Sequence, residues 1–134
     1  MKTLYSAMAT VTGGREGHAR TSDGKLDLAL SKPEGLGPGT NPEQLFAVGF
    51  SACFLSAIAH VARLRGKDIG DAKIDSKVDL GKGDDGGFEL AVELRCTLPN
   101  VSREEAQAIV DEATTVCPYS KATRGNIEVR TVAV

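Results

Sequence analysis

The sequence predicts an α+β fold in which strands gather around one long, enclosed helix. Three observations carry this expectation. The stretches 72–81 and 87–98 alternate apolar and polar residues with the period of a strand. The stretch from Leu45 to Leu64 is apolar on every helical face. The order along the chain is three strands, a helix, two strands, a helix and a last strand, which is not the regular alternation of a parallel α/β protein. The sheets are therefore expected to be antiparallel, with the long helix buried at the centre.

Residues 2–11 place Leu4, Ser6, Met8 and Thr10 on one face and Tyr5, Ala7, Ala9 and Val11 on the other, the pattern of a first strand. Thr12-Gly13-Gly14 turns the chain into a second strand, Arg15 to Thr21. Ser22-Asp23-Gly24-Lys25 then turns into a third, Leu26 to Leu30. Residues 31–40 hold two prolines and three glycines and read as a loop. Asn41 is a favoured N-cap, Pro42 suits the first helical position, and Gln44 falls where a capping-box partner belongs. A helix apolar all round must be enclosed by the rest of the fold or by an oligomer. Gly49 and Ser51 mark a place for it to bend, and Gly66 ends it.

Beyond it, Asp84-Asp85-Gly86-Gly87 joins the two alternating strands into an antiparallel hairpin. Ser102, with Glu105 three residues on, opens a second helix that runs to about Thr115. Cys117-Pro118-Tyr119-Ser120 begins a short helical turn ending near Gly125, and Asn126 to Val134 forms the last strand.

A chain of 134 residues suits a single domain spanning 1–134, long enough to bury one core. Hydrophobic content of 41% and charged content of 25% are those of a soluble globular protein. The net charge of −2 gives no pull toward nucleic acid or an anionic membrane. Met1 to Tyr5 lead straight into the alternating pattern, without the apolar core of a secretory signal. Ser51, Ser56, His60 and Arg63 make the apolar stretch a better buried helix than a membrane span. Three cysteines in such a chain point to a reducing compartment, the cytoplasm, and away from a structural disulfide framework. His18 and His60 lack ligand spacing, and no metal, flavin or nucleotide pattern is present.

The cysteines remain as candidates for chemistry. Cys53 lies in the apolar helix, where a lone cysteine is usually a small buried hydrophobe. Cys117 follows a capped helix and precedes Pro118, so it stands at a helix start, a position that lowers a thiol's pKa. It could equally fill a gap at a helix end. Cys96 shares an inward strand face with Val92, Leu94 and Leu98 and reads as core. Arg15 in its glycine turn could be an ordinary exposed arginine, and Glu43 a first-turn acid favouring the helix dipole.

Two long stretches decide among these alternatives. Asn41 to Phe54 (NPEQLFAVGFSACF) and Val116 to Val129 (VCPYSKATRGNIEV), with Thr12 to Gly17 (TGGREG), resemble the organic hydroperoxide resistance branch of the OsmC/Ohr superfamily over essentially the whole chain. The resemblance implies a thiol peroxidase in which Cys53 attacks the peroxide and Cys117 resolves the product as a disulfide. It implies that Arg15 activates thiolate and peroxide, and that Glu43 holds the arginine. Lys121 and Phe50 stand where the family often has asparagine and tyrosine. It further implies an intertwined homodimer, no bound cofactor, and re-reduction by a dihydrolipoyl dithiol on a lipoylated protein. The apolar residues Phe46, Phe50 and Phe54 beside Cys53 suit alkyl or fatty-acyl hydroperoxides as substrate. The competing expectations are a peroxidase of the OsmC branch, or a non-catalytic module that holds acyl chains.

Overall fold

In the computed structural model, which describes residues 1–134, the first three strands are β1 (Ala9–Thr12), β2 (His18–Thr21) and β3 (Asp27–Ala29). The long helix α1 spans Pro42–Leu64, followed by β4 (Lys73–Lys82) and β5 (Phe88–Thr97). Helices α2 (Arg103–Val116) and α3 (Pro118–Thr123) precede β6 (Glu128–Ala133). Residues Met1–Leu45 and Phe46–Val134 make two compact units.

The first unit carries an antiparallel sheet in the order β1-β2-β3, with Thr12 opposite His18 and His18 opposite Ala29. Its strands are shorter than the sequence predicts. The alternation begins at residue 2, but pairing begins only at Ala9, because the neighbouring strand β2 ends at Thr21, the partner of Ala9. Ser22 still donates its N–H to the Met8 carbonyl, and then the chain turns away. A strand needs a ladder as well as a pattern, so Leu4, Tyr5 and Met8 stay exposed. The second strand starts at His18 and not at Arg15, since Gly14–Glu16 coil into a 3-10 turn. Gly17 is where that turn closes: a Cβ there would lie 1.7 Å from the Thr12 carbonyl oxygen, a space no side chain can occupy.

The loop after β3 is pinned at its ends. Ser31 donates to the Thr40 carbonyl, Thr40 to that of Ala29, and the Gly39 N–H to Ser31 Oγ. Asn41 then caps α1 as expected, its Oδ1 accepting from the Gln44 N–H at 2.9 Å. The Gln44 side chain does not close a capping box; it accepts instead from the Thr40 hydroxyl at 2.6 Å.

In the second unit β4 and β5 form the expected antiparallel hairpin, with Val78 opposite Val92 and Ile74 opposite Cys96. The expectation of antiparallel sheets holds for every strand pairing but the last. β6 pairs parallel to β5, Val92 opposite Val129, giving a mixed sheet in the order β4-β5-β6. The reason is the connection: α2 and α3 carry the chain back to the start of β5, as a parallel pairing requires. Ser102 caps α2, its Oγ accepting from the Glu105 N–H at 3.2 Å.

Phe50, Phe54, Ile58 and Val61 of α1 pack with Leu94 and Cys96 of β5 and with Ile109 and Val110 of α2. Each large side chain so buried contributes about 1.5–3 kcal/mol. Length and a mean hydropathy of 2.0 would let α1 cross a membrane; instead its buried residues make this core. One face of α1 is left uncovered by the chain, with Ala52 and Ala59 exposed and Val48 69% exposed. Past its end, Gly66 takes φ +66° and the Lys67 N–H returns to the Ala62 carbonyl.

Candidate active site

Cys117 occupies the joint between two helices. Its N–H closes the last turn of α2 on the Ala113 carbonyl at 3.0 Å, and its extended backbone (φ −68°, ψ 123°) is also the cap from which α3 departs. Pro118 enforces both features, disfavouring helical geometry in the residue before it and suiting the first position of the next helix. The joint aims the Cys117 thiol at α1, where it donates to Cys53 Sγ at 3.6 Å. Both thiols are free. Cys117 is buried and Cys53 half-buried, so Cys53 is the one that a small molecule can reach.

Burial pushes the Cys53 thiol above its ordinary pKa, and the neighbouring Cys117 thiol acts in the same direction. A hydrogen bond from the Tyr119 backbone, in the first turn of α3, opposes them and favours the thiolate. Cys96, in contrast, is wholly enclosed in β5, and burial pushes its thiol up to about 12. It is core, as its place in the alternation implied.

In the first unit the 3-10 turn and the start of α1 bring Arg15 to Glu43. The guanidinium donates through Nη1 to Oε2 at 2.8 Å and through Nη2 to Oε1 at 2.6 Å, a two-pronged pair. The arginine's hydrogen bond holds the Glu43 carboxyl below the usual carboxylate range, so Glu43 is ionised at neutral pH. Glu43 is the more covered partner, with side-chain exposures of 14% for it and 42% for Arg15.

Residues 34–132 match the family of OsmC-like proteins. The organic hydroperoxide resistance protein of Xanthomonas axonopodis pv. citri (strain 306) is 53% identical over 133 residues, covering 96% of this chain and 93% of that one. The chain belongs to the OsmC/Ohr family. Solved OsmC/Ohr structures agree: the organic hydroperoxide resistance protein OhrB of Bacillus subtilis superposes with a TM-score of 0.93 at 43% identity, covering 98% of this chain and 100% of that one. A putative organic hydroperoxide resistance protein from Vibrio cholerae, crystallised with captopril in one of its active sites, gives 0.92 at 44% identity over 99% and 94%.

For this member of the OsmC/Ohr family, the three phenylalanines part company. Phe50 and Phe54 are fully buried, whereas Phe46 is only partly so. Their rings meet edge to face, with centroids 5.8 Å apart for Phe46 and Phe50 and 6.5 Å for Phe50 and Phe54. A fourth ring, which the pattern of the sequence does not place here, completes the cluster. Tyr119 lies 6.1 Å from Phe46 and 5.5 Å from Phe50. The available signal was an aromatic residue just after Cys117-Pro118, together with a glycine one turn before Cys53. Elsewhere, His60 pairs with Arg63 and His18 with Asp27. No group of three or more His, Cys, Asp or Glu side chains is placed to hold a metal ion.

Proposed function

We propose that this protein is a cysteine-based peroxidase that reduces organic hydroperoxides to alcohols, residues 1–134 acting as one catalytic unit. The observation that carries the reading is the 3.6 Å contact between Cys53 and Cys117 in a chain whose relatives are named for organic hydroperoxide resistance. The Cys53 thiolate attacks the distal oxygen, the O–O bond breaks, and the alkoxide leaves and takes a proton to become the alcohol. Cys53 is then a sulfenic acid. The Cys117 thiol displaces its hydroxyl as water and forms the Cys53–Cys117 disulfide. A dihydrolipoyl dithiol on a lipoylated protein returns both thiols by exchange, becoming a disulfide itself.

Because burial works against the Cys53 thiolate, the reaction needs a cation, and the reading assigns that role to Arg15. Its planar fork can serve a thiolate and a carboxylate together, and Glu43 fixes its orientation. Phe46, backed by Phe50 and Phe54, supplies the apolar wall for an alkyl or fatty-acyl tail.

The working form is an intertwined homodimer in the cytoplasm. Two features support the dimer. The uncovered apolar face of α1 carries Val48, and Leu4, Tyr5 and Met8 form an exposed, strand-patterned segment without a partner in the chain.

The test is turnover of cumene or tert-butyl hydroperoxide by the purified protein with dihydrolipoamide. Wild type is expected to turn over and Cys53→Ser is not. Cys117→Ser should consume about one equivalent and then stall or over-oxidise at Cys53. Substantial turnover by Cys53→Ser would overturn the reading.

A further inference from the structure

Gly49 lies one helical turn before Cys53 on α1, in the interior of a helix, where glycine is ordinarily unfavourable. The reason is packing. A Cβ at Gly49 would stand 2.9 Å from Tyr119 Oη and 3.5 Å from its Cε2 and Cζ. The tyrosine ring therefore crosses α1 over bare backbone. Phe46 and Phe50 flank it at centroid distances of 6.1 and 5.5 Å, and the residue is 38% exposed, so an added methyl pushes the ring toward solvent. The backbone of the same residue favours the Cys53 thiolate, and only Pro118 separates it from Cys117.

We propose that Gly49 and Tyr119 are a positioning pair that sets how fast Cys53 and Cys117 close into a disulfide. This rests on the thiol roles given above. The sulfurs stand 3.6 Å apart and must come to about 2.05 Å in the bond. Closure joins a sulfenic acid at Cys53 to the thiol of Cys117, with loss of one water. The tyrosine seat keeps α3, and with it Cys117, pressed against the turn of α1 that carries Cys53. Filling the seat with one methyl group displaces the ring and withdraws the resolving sulfur. Misplacement on the ångström scale costs reactions of this kind a factor on the order of a hundred.

The experiment compares wild type, Gly49→Ala and the double variant Gly49→Ala/Tyr119→Phe. Disulfide closure is followed with diamide, which takes up the two hydrogens of the thiols, and separately after one equivalent of tert-butyl hydroperoxide with dimedone present to trap sulfenic acid. Gly49→Ala is expected to close about tenfold or more slowly with both oxidants and to accumulate the dimedone adduct at Cys53. The double variant removes Oη, the atom 2.9 Å from the new methyl, and is expected to regain most of the rate. A general loss of structure would not be repaired by deleting one hydroxyl, so the rescue separates positioning from folding. Closure by Gly49→Ala at the wild-type rate would overturn the proposal, as would a double variant as slow as the single one. If peroxide leaves wild-type Cys53 unmodified, the peroxidase reading fails, while the diamide comparison still decides the positioning.

Discussion

Arg15 and Glu43, 28 positions apart in the chain, grip each other through two hydrogen bonds of 2.8 and 2.6 Å. The pair ties the 3-10 turn after β1 to the first turn of α1. Gly13 and Gly14, where that turn begins, take φ of +71° and +58°, a region that favours glycine, and the ion pair fixes where the turn ends up.

That pair makes stability depend on acid. Arg15 lowers the folded-state pKa of Glu43, so the pair's contribution is present above the ordinary glutamate value and is lost as pH falls through the lowered one. Glu43→Gln should melt below wild type at pH 7. The gap should narrow as pH falls below about 4, where the unfolded chain's glutamate takes up its proton. Thermal melts of both proteins across pH 2–8 check this, and a gap independent of pH would show that Glu43 acts through shape alone.

Arg15→Ala should shift the alkylation of Cys53 to higher pH. Burial disfavours the thiolate, and in the role proposed for Arg15 its removal takes away a positive charge that offsets this. The iodoacetamide rate at pH 7 should fall roughly tenfold, one unit of pKa corresponding to that factor. Arg15→Lys should recover little, because an ammonium lacks the planar fork. Superimposable pH–rate curves for wild type and Arg15→Ala would remove the arginine from thiolate activation.

Cys96→Ala should keep peroxidase turnover while losing stability. Its side chain is fully enclosed and its thiol is pushed up to about 12, so it resists alkylation in the native protein at pH 8. Deleting the sulfur leaves a small cavity costing about 1–2 kcal/mol. Urea melts and a turnover assay on the same preparation test both halves; a large loss of turnover with unchanged stability would give Cys96 a chemical part.

Efficiency should rise from hydrogen peroxide to tert-butyl hydroperoxide and then to long-chain hydroperoxides, by up to about 0.8 kcal/mol for each methylene buried. Phe46 is the ring of the three that is not fully buried, so Phe46→Ala should flatten the series, whereas Phe54→Ala should chiefly cost stability, about 3–5 kcal/mol. Measured kcat/KM values that do not change with chain length in wild type would dispose of the apolar wall and leave the thiol chemistry standing.

By itself the sequence determined what depends on neighbours a few positions away. Asn41 and Ser102 cap α1 and α2, the alternation of 72–81 and 87–98 makes β4 and β5, and glycine-rich turns separate the strands. Such signals are local, because capping bonds and helix or strand periods close within a few residues. Its long motifs also carried the family. What local signals do not carry is which distant segments meet. The alternation of residues 2–8 found no ladder in the chain, since β2 is too short to supply one. β6 runs parallel to β5 because of how α2 and α3 return the chain. Spacing alone left Cys53 and Cys117 open to reading as packing residues; only the tertiary structure set their sulfurs 3.6 Å apart. The same holds for Tyr119 over Gly49, where a missing side chain on one helix makes room for a ring from another.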